Sequence, residues 1–592
     1  LIIEHQFKSK SLKIGAILLN IKSSRLFISI GVLLFIASTN LHAAGKTAER
    51  GNNGAVASSS LIASEVGVQI LKEGGNAIDA AVATAFAMAV THPTAGNIGG
   101  GGFLVYHGVN GETTTFDFRE KAPLASTKNM YLDAEGKVIN NEIGPIDHFS
   151  IKAVGVPGTV AGLELAHQRL GSLEWAKLLS PAVKLARQGI PITFKLHDDF
   201  NNQRRKSWFG KYPSSQKIFY KDQGKPYLVG DVWKQNDLAN TLERIQSNGK
   251  EGFYGGKTAE LIANFMTANN GLITLEDLKK YEAVERKPIK NNYRDYEIVS
   301  MPPPSSGGVI ISEMLNILEQ YDLNQIGHNS AQYLHILTEA MRRGYADRAN
   351  YLGDPDFNED MPLERLLSKE HAVNLQKTID LNTKSESDPA LFAEIYESDE
   401  TTHFSVVDKE GNMVSLTYTL EFGYGSHIVV EGAGFLLNNE MGDFNEQPGV
   451  TNIKGEIGTP PNQIRPEQRM LSSMTPTIVA KDGIPLFATG SPGGKTIINT
   501  TMQTILNVVD HGMTIAEAIE APRIHHQWLP DITTFEKRGI SADTQAIYES
   551  YGHKIRTRNS IGSAMGVYRD PETGIVSGAA DSRAEDSGAA VY

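Results

Sequence analysis

Cysteine is absent from the 592 residues. That excludes disulfides, thiolate metal sites, a cysteine nucleophile and an anchor through an acylated cysteine. Positive charge is in deficit: 56 Lys and Arg stand against 68 Asp and Glu, a net charge of −12. A nucleic-acid binder needs a basic stripe along the phosphates, so this balance argues against that class. Recognition of a small substrate depends on local charge and stays open. Long apolar runs are also scarce. The strongest, residues 26–37, falls short of the ~20 residues that span a bilayer. Lys22 and Arg25 precede it, and Ala43, Ala44 and Gly45 follow. A basic flank, an apolar run and a small-residue exit predict a secretory signal over residues 1–44, with an uncleaved anchor as the alternative. The protein is therefore expected to be exported, to a periplasm or to the medium.

What remains supports a large core: 40% of the residues are hydrophobic and 21% charged. Length alone, at about 150 residues per domain, suggests roughly four domains. Residues 76–90 are Ala-rich and apolar nearly all round, which predicts a buried helix. Glycines 99–102 lead into a strand-like run at 103–106, and a helix is predicted around 160–170. Residues 180–390 alternate helices with loops. Within them the basic, aromatic stretch 342–351 reads as a solvated or bridging helix, and 385–389 and 397–400 read as exposed loop. Beyond residue 400 two strand–turn–strand signals appear, 403–408 with 413–420 and 474–480 with 484–489, followed by an amphipathic helix at 496–511. Strands interleaved with helices predict a layered sheet with helices on its faces.

Two tempting motifs fail on spacing. Gly490-Ser-Pro-Gly-Gly-Lys-Thr496 resembles a phosphate loop, but Thr489 stands where the first glycine is required. Its clustered N–H groups suit an oxyanion better. His525 and His526 are adjacent, so they cannot share the helix face that a zinc pair needs. Thr401, just before a strand, would by itself be a cap or edge residue.

Its surroundings change that reading. The chain after the signal resembles the γ-glutamyltransferase family of N-terminal-nucleophile hydrolases. The resemblance rests on the order of Leu71-Lys-Glu-Gly-Gly-Asn-Ala-Ile-Asp-Ala-Ala81, Thr91-His-Pro93 with glycines 99–102, Phe116-Asp-Phe-Arg-Glu120, Val154-Gly-Val-Pro-Gly158, Thr401-Thr-His403, Leu437-Asn-Asn-Glu440 with Asp443-Phe444, Leu471-Ser-Ser-Met-Thr-Pro476, Gly490-Ser-Pro-Gly-Gly494 and Asp581-Ser-Arg583. It implies an α+β fold, a four-layer αββα sandwich, built from two interleaved subunits. These would be residues 45–400 and the 592 − 400 = 192 residues that begin with Thr401. The chain would cut itself between Glu400 and Thr401.

A threonine hydroxyl is a weak nucleophile and needs an adjacent base. A freed α-amino group, with a pKa of about 7.7–8.0, can supply it. The resemblance assigns Thr401 as nucleophile and base, and Thr419 as the residue that orients it. It assigns the backbones of Gly493 and Gly494 as oxyanion donors. Arg119, Ser472 and Ser473 would bind the substrate α-carboxylate, while Glu421, Glu440 and Asp443 would bind the α-ammonium. Glu421 and Glu440 stand where well-studied bacterial members often carry Asn and Gln. Lys454, in the lid-like stretch 448–455, replaces a frequent tyrosine; a looser lid there would favour water over an amino-acid acceptor.

The implied reaction passes γ-glutamyl groups from glutathione and similar donors to water, amino acids or peptides. It requires no cofactor or metal, and its partners are small molecules rather than nucleic acid. Two alternatives remain open. One is an acylase on the same scaffold, acting on glutaryl or poly-γ-glutamate substrates. The other is an inactive exported binding protein.

Overall fold

Alternation along the strands fixes the layers. A computed structural model describes residues 46–387, 401–445, 447–450 and 458–592. The expected signal at 1–44, the junction at Glu400 and the lid residue Lys454 lie outside the described residues. Fourteen strands form two seven-stranded antiparallel sheets. They are β1 (Glu49–Gly51), β2 (Ala55–Ser58), β3 (Gly101–His107), β4 (Thr113–Phe118), β5 (Val284–Arg286), β6 (Ile289–Tyr293), β7 (Tyr296–Ser300), β8 (Thr402–Val407), β9 (Met413–Thr419), β10 (Thr477–Lys481), β11 (Ile484–Gly490), β12 (Met565–Arg569), β13 (Val576–Ala580) and β14 (Gly588–Val591). One sheet has the order β14-β2-β8-β9-β3-β4-β5, the other β1-β13-β12-β11-β10-β7-β6.

Successive side chains on a strand point to opposite faces, and here each face has its own core. Ala55, Ala57, Phe103, Val105, Ile478, Ala488 and Val567 meet between the two sheets. Their neighbours Val56, Leu104, Val406 and Val414 face a helical layer containing α1 (Leu61–Lys72), α2 (Ala77–Thr91), α3 (Thr159–Leu170) and α4 (Trp175–Gln188). On the other side Val479 and Phe487 face α5 (Gly307–Leu318), α6 (Ala331–Tyr351) and α8 (Thr496–Val509), with α7 (Lys369–Gln376) packed behind. The result is the αββα sandwich. Residues 46–592 form one compact unit, so the four-domain figure suggested by length fails.

The Ala-rich segment is buried along its whole length as α2. Small side chains let it lie close to the sheet, and a reciprocal capping box between Asn76 and Asp79 starts it. The stretch 342–351 is a correction. It forms the second half of α6 and is not a solvated surface: Arg342, Tyr345 and Arg348 are all buried. Arg342 pairs with Glu339 at 3.2 Å and Asp531 at 2.7 Å, and such pairing is what makes a buried guanidinium tolerable. Ser387, expected in exposed loop, is buried as well and donates to the Trp528 carbonyl at 2.6 Å. Among the described residues no helix is long and apolar enough to cross a membrane.

Candidate active site

The two threonines meet through strand register. Thr402 pairs with Tyr418, Tyr418 with Gly102, and Gly102 with Phe118, a row across β8, β9, β3 and β4. The next row outward holds Thr401, Thr419, Gly101 and Arg119. Thr401 and Arg119 therefore sit at the same end of the sheet, three strand spacings or about 14 Å apart at the backbone. A long guanidinium side chain and a small acyl group bridge such a distance.

The glycine run makes this row possible. A Cβ on Gly100 would lie 2.0 Å from the Thr419 carbonyl oxygen. Asn97 holds that same carbonyl with its Nδ2 at 2.8 Å and caps Gly100 N with its Oδ1 at 2.9 Å. Thr419 Oγ1 accepts the Glu421 N–H at 2.8 Å, which fixes its rotamer beside Thr401. Thr401 itself is buried. His403, two residues along β8, is no candidate base. Its ring nitrogens are engaged by Thr417 and Ser405, at 2.8 and 2.9 Å, and burial pulls its pKa down to about 3.

The second sheet supplies the glycine pair. A Cβ on Gly490, at the end of β11, would strike the His403 ring at 2.5 Å, so β8 and β11 stack closely just short of Thr401. The chain then turns through Gly493 and Gly494, with φ of 130° and 53°. Among the described residues neither N–H is taken by a hydrogen bond, as a site for a developing oxyanion requires. Gly493→Ala would force φ into a region closed to L-residues and bring a Cβ within 2.4 Å of Thr496 Oγ1. Its turnover is expected to fall about 10²–10³-fold in steady-state assays, with the folded state retained.

Arg119 follows β4 and is fully buried. Its Nη1 donates to Glu440 Oε1, its Nη2 to Asp443 Oδ2 at 2.5 Å, and its Nε and Nη2 to the Met470 and Leu471 carbonyls at 3.3 Å each. Glu120 lies 3.5 Å away. Three of the predicted binders, Arg119, Glu440 and Asp443, thus form one cluster. Only Asp443, its side chain 39% exposed, opens outward. Burial pushes Glu120 up to about 7 despite Arg119, and it raises Glu440 well above the carboxylate range.

Glu421, with φ of 76°, lies 2.9 Å from His148 Nδ1. Burial raises it to about 7 against the pull of His148. His148 stacks on Phe422 at 5.0 Å and lies 3.5 Å from Asp147.

Ser472 and Ser473 precede β10 and are braced from the helical layer. Ser306 Oγ donates to the Ser472 carbonyl at 2.7 Å, and Arg348 reaches Ser306 Oγ with Nε at 2.8 Å and Ser473 Oγ with Nη2 at 2.9 Å. Asp147, His148, Glu120, Ser306 and Arg348 were not foreseen as site residues. Glu120 alone had a local signal, its place beside Arg119.

The sandwich, with a buried threonine heading a central strand that stacks on the strand leading into a glycine turn, has the form of the N-terminal-nucleophile hydrolase class. Within that class the chain belongs to the gamma-glutamyltranspeptidase family, whose model matches residues 63–591. The glutathione hydrolase proenzyme of Escherichia coli (strain K12) is 47% identical over 546 residues, 92% of each chain. Among solved structures, the gamma-glutamyltranspeptidase of Helicobacter pylori is 45% identical with a TM-score of 0.54, covering 58% of this chain and 94% of its own. The cephalosporin acylase from Bacillus halodurans is 27% identical with a TM-score of 0.80, covering 94% of this chain and 98% of its own.

Proposed function

We propose that the protein is an exported γ-glutamyltransferase with glutathione hydrolase activity. It is made as a precursor and cut between Glu400 and Thr401 into a large and a small subunit. The observation that carries the substrate assignment is the charge pattern around Arg119. One guanidinium stands among Glu120, Glu440, Asp443 and, further out, Glu421. That set suits a zwitterion whose ammonium draws the acids to itself and whose carboxylate takes their place on the guanidinium fork. A γ-glutamyl group carries both charges at its far end, and a glutaryl group carries only the carboxylate.

The Thr401 hydroxyl attacks the γ-carbonyl while the freed amine takes its proton. The N–H groups of Gly493 and Gly494 receive the oxyanion, and collapse expels the leaving amine as it takes the proton from the Thr401 ammonium; cysteinylglycine leaves when glutathione is the donor. The ester is then resolved by water or by an amino-acid or peptide amine. In the precursor the same hydroxyl attacks the Glu400 carbonyl, shifting the acyl group from the Thr401 nitrogen to its oxygen, and water hydrolyses that ester to leave a Glu400 carboxylate and a free Thr401 amine and hydroxyl.

Comparing γ-glutamyl with glutaryl anilides tests the assignment. Preference for γ-glutamyl by at least about 10²-fold is expected, from the charge-assisted contacts the ammonium adds. Equal rates would favour the acylase reading, for which the fold of the cephalosporin acylase speaks. Glu421 adds a pH dependence. Below about 7 it takes up a proton and offers no charge to the ammonium, so kcat/KM should fall as pH drops through that value. In Glu421→Gln the part of the acid limb centred near 7 should disappear, leaving the limb set by the Thr401 amine, at a lower plateau.

A further inference from the structure

Behind the serines, three helices bring Glu313 of α5, Asp347 of α6 and His371 of α7 together, with one ligand atom from each lying within 4.8 Å of the others. His371 Nε2 is 2.9 Å from Asp347 Oδ2. Glu313 is fully buried, and its carboxylate faces that of Asp347, with no other hydrogen-bond partner among the described residues. Asn316, one turn along the same face of α5, is buried too, and its Oδ1 is unpartnered among those residues. A desolvated carboxylate aimed at a second carboxylate is costly unless a positive charge joins them. Arg365 attracts Glu313 only from a distance, its guanidinium lying 4.8 Å over the Tyr351 ring.

We propose that Glu313, Asp347 and His371 form a structural site for a divalent transition cation, zinc or manganese. Two carboxylate oxygens and one imidazole nitrogen are ligands that both ions accept. Asp347 and His371, with side chains 17% and 13% exposed, leave an entry path and room for water to complete the coordination. The ion replaces any proton held by the two acids, which leaves to solvent. It ties α5, α6 and α7 together at a place coupled to the pocket. Ser306, just before α5, holds Ser472, and Arg348, next to Asp347, holds Ser473. The ion would brace the helices that carry these two supports.

The test uses the processed protein stripped with chelator and dialysed, then titrated with zinc or manganese chloride by calorimetry and thermal shift. One equivalent is expected to bind and raise Tm, with affinity weakened at least about tenfold in both Glu313→Gln and His371→Ala. Absence of saturable binding, or binding that either variant leaves intact, would overturn the site and leave Glu313 and Asp347 as a proton-sharing pair. If Glu313→Gln does not fold, Asp347→Asn takes its place in the same comparison.

Discussion

Thr401→Ala is expected to remain a single chain on a denaturing gel and to lose γ-glutamyl transfer by at least about 10⁴-fold, because one substitution removes a nucleophile and prevents its base from forming. The proposed mechanism makes the two losses inseparable. The hydroxyl that would carry the acyl group is the hydroxyl that would open the chain, and without the cut no α-amine appears beside it. Thr401→Ser separates them in degree: cleavage should persist at a reduced rate, and each processed molecule should be active. Intact-mass analysis reads both outcomes, since the processed chain yields a C-terminal fragment of 192 residues (592 − 400). Full activity in uncut wild-type protein would defeat the proposal. An inactive binding protein would instead stay uncut in the wild type and show no difference on Thr401→Ala.

The parts of this site that were legible in the sequence are those written in local pattern. Alternation marks β8 and β9, and from their turn at residues 409–412 the register that sets Thr401 beside Thr419 follows. The glycines at 99–102 mark the entry to β3, and the structure shows why side chains are missing there, in the close approach of the Thr419 and Leu436 carbonyls. What escaped is the support assembled by packing. Arg348 carries a charge that local reading assigns to solvent, yet its partners Ser306 and Ser473 lie 42 and 125 residues away. His148 sits in a long connection between β4 and α3, and contacts distant in the chain, such as its stacking on Phe422, bring it to Glu421. Burial of a polar residue depends on partners distant in the chain, so periodicity has no access to it.

The same dependence makes Arg119 the position where binding and stability are joined. In the proposed mechanism Arg119→Gln removes a bidentate contact to the substrate carboxylate. At about 1.5–3 kcal/mol for each charge-assisted hydrogen bond, kcat/KM for a γ-glutamyl donor should fall about 10²–10⁴-fold. The substitution also strands Glu440 and Glu120, both fully buried, without their cation. Breaking a buried pair in this way costs about 3–5 kcal/mol when the remaining charge persists.

The acids can escape that cost by taking up protons, and both already lie above the usual carboxylate range with Arg119 in place. The sign follows from linkage. A carboxyl whose folded-state pKa is raised binds more protons folded than unfolded, so its penalty is absent below the unfolded value of about 4.5 and grows as pH rises. Arg119→Gln should therefore come closest to the wild type in denaturant midpoint at pH 5 and lag it increasingly towards pH 8. Arg119→Lys keeps a charge but not the planar fork. It should recover most of the stability at pH 8 and little of the kcat/KM. A lysine variant restored in both respects would mean that the guanidinium serves the fold alone, and that the substrate carboxylate is held elsewhere.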